Sequence, residues 1–248
     1  IIYRPQERIN WTMSLSFRSV KTYYDKIGRK LNQYNKENLS KNLTRYYDGG
    51  SPTALWAVRS AGIDPATGKE IFLTKDGKPT FQHSYDNEVV VGNTNPDVEG
   101  VWSNSLYWKG FSLNLHIRYS LGGQRFNSTL YEKVENISVA GLSQNQDRRA
   151  LYDRWQKPGD KVRFAAFSET YDGMNVGYVT RPTSRFVEDY NYLELATLNV
   201  AYEFGVARLK RLGIKRLKAM FYMNDVFHAS SVKQERGIDY PFARYFSI

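Results

Sequence analysis

Two stretches of this sequence alternate so strictly that they leave little choice of local structure. From Ile9 the odd positions Ile9, Trp11, Met13, Leu15 and Phe17 are apolar, while Asn10, Thr12, Ser14, Ser16 and Arg18 between them are polar. From Phe111 the same pattern returns, with Phe111, Leu113, Leu115, Ile117 and Tyr119 against Ser112, Asn114, His116, Arg118 and Ser120. A repeat of two fits an extended strand, whose successive side chains go to opposite faces, here one apolar and one wet. In the second stretch two aromatics bracket three aliphatics. That layout is expected of a strand crossing a bilayer, with rings at the two head-group levels and aliphatics between them. A strand of a soluble sandwich carries the same alternation, so this feature alone leaves both architectures open.

Four more strands are predicted. One covers Gly100 to Trp108 and joins the Phe111 strand through the tight turn Lys109-Gly110. Another runs from Tyr192 to Phe204, with Ala196, Leu198, Val200, Tyr202 and Phe204 on one face and Thr197, Asn199 and Glu203 on the other. A strand from Ile214 to Asn224 follows, and Ala243 to Ile248 begins the last. The connections between the six strands run long, short, long, short, long. Outer-membrane barrels have this pattern, with short periplasmic turns and long external loops; in a soluble domain, structureless loops of such length count against the strand assignment. The long connections carry their own punctuation. The first holds a break at Gly50 to Pro52, a turn at Asp64 to Gly68, a short strand near Glu70 to Leu73 and the hairpin turn Asp76-Gly77. The second holds a helix expected from about Gln144 to Trp155, stopped at Pro158-Gly159. They are expected to fold as external lobes.

Composition removes several alternatives. Cysteine is absent, which excludes disulfides and thiolate metal sites, and His83, His116 and His228 lack metal-ligand spacing. No metal and no cofactor is expected. No segment approaches the roughly 20 apolar residues of a membrane helix, a condition that leaves barrels open because their strands are short and half polar. With 19 Tyr, 13 Phe and 5 Trp, the chain suits strands whose ends meet a boundary between apolar and wet surroundings. The net charge of +10 is densest at Arg208, Lys210, Arg211, Lys215, Arg216 and Lys218. That run reads as a solvated periplasmic turn and the start of the next strand; a nucleic-acid surface is the competing reading and is not the one adopted. Sequons at Asn10, Asn38, Asn42, Asn127 and Asn136 are expected to carry no glycan in a bacterial protein.

Several segments then resemble a known family in order and spacing. The punctuation Gly49-Gly50 ahead of Trp56 and the run from Val58 to Glu70, containing Asp64-Pro65-Ala66-Thr67-Gly68, is similar to an element in the external loops of SusC/RagA-type TonB-dependent transporters. The segments Asn93 to Asp97, Trp102 to Ser105, Tyr107 to Phe111 and Arg118 to Gly123 resemble the late-barrel hairpin of that family. Arg154 to Asp160, Tyr190 to Leu195 and Tyr240 to Phe246 also fit. The likeness covers residues 9–248. It implies an all-β fold, the C-terminal strands of an antiparallel transmembrane barrel of about 22 strands with long external loops. It further implies a bacterial outer-membrane location and no enzymatic activity. The expected function is TonB-energised import of oligosaccharides or peptides together with a SusD-like lipoprotein lid. Residues 1–248 are expected to be the C-terminal part of the barrel, with the plug domain, the N-terminal strands and the TonB-contacting region outside this chain, since six strands are too few to close a membrane barrel.

In that reading Asn10, Arg18, Asn114, His116 and Arg118, with Thr12, Ser14 and Ser16, line a polar lumen. Substrate contact is assigned to aromatics of the external loops, Tyr46, Tyr47, Trp56 and Trp155, with Trp102 a further candidate. The competing class is a secreted all-β glycan-binding or glycan-active protein. Catalysis by paired carboxylates needs two acids held at a defined separation, for which Asp97 and Glu99 are same-face candidates, but no nucleophile elbow, phosphate loop or metal cluster accompanies them.

Overall fold

The computed structural model describes residues 2–3, 9–137, 146–167, 180–205, 210, 213–232 and 246–247. The chain divides into two units. The first comprises Ile1–Val20, Pro96–Gly123 and Tyr190–Ile248, the second Lys21–Asn95 and Gln124–Asp189.

The first unit is built on an antiparallel sheet of seven strands. In chain order these are β1 (Ile2–Tyr3), β2 (Ile9–Arg18), β7 (Val98–Trp108), β8 (Phe111–Phe126), β9 (Val187–Glu203), β10 (Lys218–Ser230) and β11 (Phe246–Ser247), and they neighbour one another in that same order. Each strand pairs with the next of this sheet in chain order, an up-and-down arrangement, and β7 and β8 are joined by a two-residue turn. Lys109 and Gly110, at φ 47° and 89°, both occupy the left-handed region. This is the geometry of a two-residue hairpin turn whose twist matches that of its strands.

Register sorts the side chains of β2, β7 and β8 into two faces. Directly opposed residues share a face. Ile9, Trp11, Met13, Leu15 and Phe17 face Trp108, Leu106, Asn104, Trp102 and Gly100, which in turn face Phe111, Leu113, Leu115, Ile117 and Tyr119. Asn104 is the polar intruder in this apolar set, and the Trp11 indole donates to its Oδ1 at 3.4 Å. Trp11, Leu15, Phe17, Trp102, Trp108 and Leu121, all of this face, stand 39–77% exposed.

The second unit has the ordinary interior of a folded domain. Its sheet, β5-β4-β3-β6, uses β3 (Ala54–Ile63), β4 (Glu70–Leu73), β5 (Pro79–Thr80) and β6 (Glu88–Asn93). Ala54, Ala57, Val58, Ile63 and Phe72 are buried there. A second cluster packs Leu130, Val134, Ala150, Phe164 and Phe186, flanked by Phe126, Tyr131 and Ile137. Leu130 and Val134 sit on a wide helical turn, Leu130–Glu135, and a 3-10 turn, Ser184–Phe186, delivers Phe186.

Some sequence expectations are corrected. β8 and β9 are longer than the predicted strands, reaching Phe126 and beginning at Val187. Ile214 to Leu217 are not extended; the strand begins at Lys218 and continues past the predicted end to Ser230, across a bulge between Asn224 and Phe227 where Asp225 takes φ 49°. The bulge gives the strand an extra residue and so breaks the alternation on which its end was read. Of the helix expected over Gln144 to Trp155, Gln144 lies outside the described residues and helix is present only at Arg149–Tyr152. After Tyr152 the backbone leaves the helix to pair with Phe164, Trp155 N–H donating to the Phe164 carbonyl and Phe164 N–H to that of Asp153. The Arg154 guanidinium satisfies the helix carbonyl of Ala150 and also donates to those of Val134, Glu135 and Ala165. Of the last predicted strand, Phe246–Ser247 is present, and Ala243, Arg244, Tyr245 and Ile248 lie outside the described residues, as do Arg208 and Arg211 of the basic run.

Candidate functional site

The polar face of the first unit gathers every residue assigned to a lumen. Asn10 lies in one row with Tyr107 and Ser112, Thr12 with Ser105 and Asn114, Ser14 with Ser103 and His116, Ser16 with Val101 and Arg118, and Arg18 with Glu99 and Ser120. Residues within a row are linked through side chains. Ser105 Oγ lies 2.6 Å from Asn114 Oδ1, and His116 Nδ1 2.9 Å from Ser103 Oγ. Short hydroxyl and amide groups at cross-strand positions satisfy one another and leave a hydrated, uncharged strip.

Charge is concentrated at one end of this strip. Arg18 Nε is 3.3 Å from Glu99, and Arg118 Nη1 is 3.8 Å from Glu194 on β9. The two ion pairs border a cavity of about 310 Å³ lined by Ser16, Phe17, Arg18, Glu99, Gly100, Val101, Arg118, Tyr119 and Tyr192. Its floor depends on Gly100. A Cβ there would fall 2.6 Å from the Tyr119 hydroxyl, which donates to the Ser16 carbonyl at 2.8 Å. The aromatic ring thus covers the gap that the glycine leaves in the sheet. Arg18 and Arg118 keep 68% and 57% of their side chains exposed, so both pairs exchange readily with water or a solute. Alternating cations and carboxylates suit a solute carrying both charges or many hydroxyls. Glu99 is thereby engaged with Arg18, and its sequence-level partner Asp97 is exposed with its backbone N–H on the Leu121 carbonyl.

The second unit holds the aromatics assigned to substrate. Tyr46 is the hub of a ring trio, 5.5 Å from Tyr24 and 5.6 Å from Tyr34, while Tyr47 stacks obliquely on Trp56 at 5.2 Å. The backbone beneath them is fixed from both sides. Buried Asn35, on a helix at Asn32–Glu37, donates from Nδ2 to the Tyr46 carbonyl and accepts from the Tyr46 N–H, as a neighbouring strand would. Arg45, 1% exposed, forms a two-bond ion pair with Glu88 at 2.6 and 2.7 Å and donates to the carbonyls of Leu39, Asn42 and Thr44. Burial pushes the Glu88 carboxyl upward and Arg45 opposes it. Trp155 lies elsewhere. Its indole N–H donates to the Pro65 carbonyl at 2.8 Å and its ring covers Gly68, so it braces the Asp64–Gly68 turn. Trp102 belongs to the apolar face of the other unit.

Sequence reasoning missed the charged interior. Arg185 joins Glu70 and Glu135, at 3.0 and 2.7 Å, with both carboxylates fully buried, and Thr183 and Thr180 donate to the same two groups. His83 is wedged edge-on between Phe72 and Tyr85, and burial followed by the Arg181 charge lowers its pKa to about 4. Glu70, Glu135 and Arg185 carry no local pattern that distinguishes them from surface residues; each meets its partner only through tertiary structure.

These geometries have counterparts. In sequence the chain is 26% identical over 172 residues to TonB-dependent receptor P3 of Formosa agariphila, an alignment covering 69% of this chain and 15% of that protein. In structure it superposes on the RagAB peptide transporter with a TM-score of 0.71 and 18% identity, covering 93% of this chain and 25% of that one. The sequence relative is a TonB-dependent receptor, and the structural likeness shows that this chain shares the fold of a part of RagAB. The RagAB peptide importer in its open-open state gives a TM-score of 0.70 at 19% identity, covering 95% and 24%. No family model matches the chain. The chain spans about a quarter or less of the length of the relatives it matches. These relatives are a TonB-dependent receptor and a peptide transporter.

Proposed function

We propose that this chain is part of the wall and external loops of a bacterial outer-membrane barrel that imports nutrient oligosaccharides or peptides. The observation that carries this reading is the two-faced sheet of the first unit. Large apolar residues cover one face and stay exposed, while hydroxyls, amides and ion pairs cover the other. A face of that kind has a favourable environment only against hydrocarbon. Among the described residues no helix is long and apolar enough to cross a membrane, so strands do the crossing in this reading. The polar face then lines the lumen, and the cavity lined by Arg18, Glu99, Arg118 and Tyr192 is a place on that wall where a solute pauses. The likeness to RagAB and to a TonB-dependent receptor supports import driven through TonB by a region preceding this chain, with a SusD-like lipoprotein closing the external mouth.

Residues 1–248 contain no cysteine, so no native thiol of this chain competes with one introduced here. Leu115→Cys is expected to resist a membrane-impermeant maleimide in intact outer membranes, whereas Asn114→Cys reacts. Equal labelling of both, in a species that stays soluble without detergent, would overturn the importer and favour a secreted β-protein.

A further inference from the structure

The segment from Lys21 to Asp48 adds to its aromatics a charge excess that the import reading leaves unexplained. It carries seven basic residues, Lys21, Lys26, Arg29, Lys30, Lys36, Lys41 and Arg45, against three acidic ones, Asp25, Glu37 and Asp48. The acids are already engaged. Asp48 accepts from the backbone of Ile27 and Gly28, Glu37 accepts from Gln33, and Asp25 lies 3.5 Å from Lys26. Arg45 is consumed inside by Glu88. Lys21, Arg29, Lys30, Lys36 and Lys41 remain exposed and outside any ion pair among the described residues. The same segment presents the ring trio of Tyr24, Tyr34 and Tyr46, with Tyr34 47% and nearby Tyr23 61% exposed.

A solvated face explains neither the rings nor their support. Exposed tyrosines on a mobile loop would lose much of their binding energy in becoming ordered. Here Asn35 and Arg45 hold the backbone under Tyr46 before any ligand arrives. Aromatic rings and cations outside any ion pair, carried on one short segment, match a ligand with apolar ring faces and acidic substituents.

We propose that this segment is a binding site for anionic oligosaccharides, chains of pyranose rings bearing carboxylate or sulfate groups. The rings stack on Tyr34 and Tyr46, and Lys30, Lys36 and Lys41 meet the acidic groups. This deepens the import reading and rests on it.

The test uses the full-length transporter with its lipoprotein partner in detergent and four probes: hexagalacturonate, maltohexaose, hexaglutamate and lipopolysaccharide. Hexagalacturonate is expected to bind most tightly, with an affinity that falls as salt rises. The triple variant K30Q/K36Q/K41Q, confined to the surface, should weaken hexagalacturonate about tenfold and leave maltohexaose unchanged; Tyr34→Ala should weaken both. Equal binding of hexagalacturonate and maltohexaose, equal binding of hexaglutamate, or binding of lipopolysaccharide alone would overturn the proposal while leaving import intact. Failure of cells carrying the transporter to take up any oligosaccharide or peptide would instead sink the import reading.

Discussion

The two units of this chain solve the same physical problem in opposite ways. The second hides its apolar residues, and every buried acidic or basic side chain among the described residues belongs to it: Arg45, Glu70, Glu88, Glu135 and Arg154. The first buries Ala196, Ala201 and Val232 among its hydrophobic residues and leaves its tryptophans and leucines outside. One unit carries its own apolar surroundings in the form of a core; in the import reading the other would take them from the bilayer.

The contrast breaks most visibly at Arg185. Replacing it by Met leaves Glu70 and Glu135 buried without their cation, and a loss of about 3–5 kcal/mol is expected, read as faster native-state hydrogen exchange in β4 and the Leu130–Glu135 turn with the first unit unchanged. Next is the apolar face. Leu115→Lys places an ammonium on the side assigned to hydrocarbon and should cost about 2–4 kcal/mol, measured as a lower heat-modification midpoint, whereas Asn114→Lys, one residue away, should be nearly silent. Equal effects would erase the distinction between faces. Gly100→Val forces a branched side chain against the Ser16 carbonyl and the Tyr119 hydroxyl; a loss of about 1–3 kcal/mol is expected, by the same assay.

The smallest effect concerns pH. His83 titrates at about 4 in the folded unit against 6.5 for a free imidazole. The unfolded chain therefore binds more protons between these values, so the contribution is fully present above about pH 6.5 and lost as pH falls toward 4. His83→Phe keeps the ring between Phe72 and Tyr85 and should flatten the melting profile of the second unit across that window. An unchanged slope would show that His83 is not its source.

The same contrast decides what was legible in the sequence. β2 and β8 were readable because their register with β7 is unbroken, so alternation survives from Ile9 to Phe17 and from Phe111 to Tyr119. β3 was not. Its neighbours bury residues on both sides, and register shifts at Leu55/Trp56 and Ser60/Gly62 break the period of two. The residues assigned to a lumen share one face because alternation alone puts them there. Of the aromatics assigned to ligand, Tyr46, Tyr47 and Trp56 gather in one region, while Trp155 is tied to the Pro65 turn; residue type alone does not separate a ring offered to solvent from one that braces a loop.

The Arg185 junction also constrains when the second unit can finish folding. Its two carboxylates lie 115 and 50 residues upstream of the guanidinium. A chain that has delivered only its first long segment must keep Glu70 hydrated, which holds β4 away from the interior it later occupies. Assembly from such distant contacts is slow, and partly closed intermediates expose apolar surface to neighbours. Chaperone dependence during biogenesis should therefore follow the arrival of Arg185, and a chain cut just before it should remain protease-sensitive throughout residues 54–135.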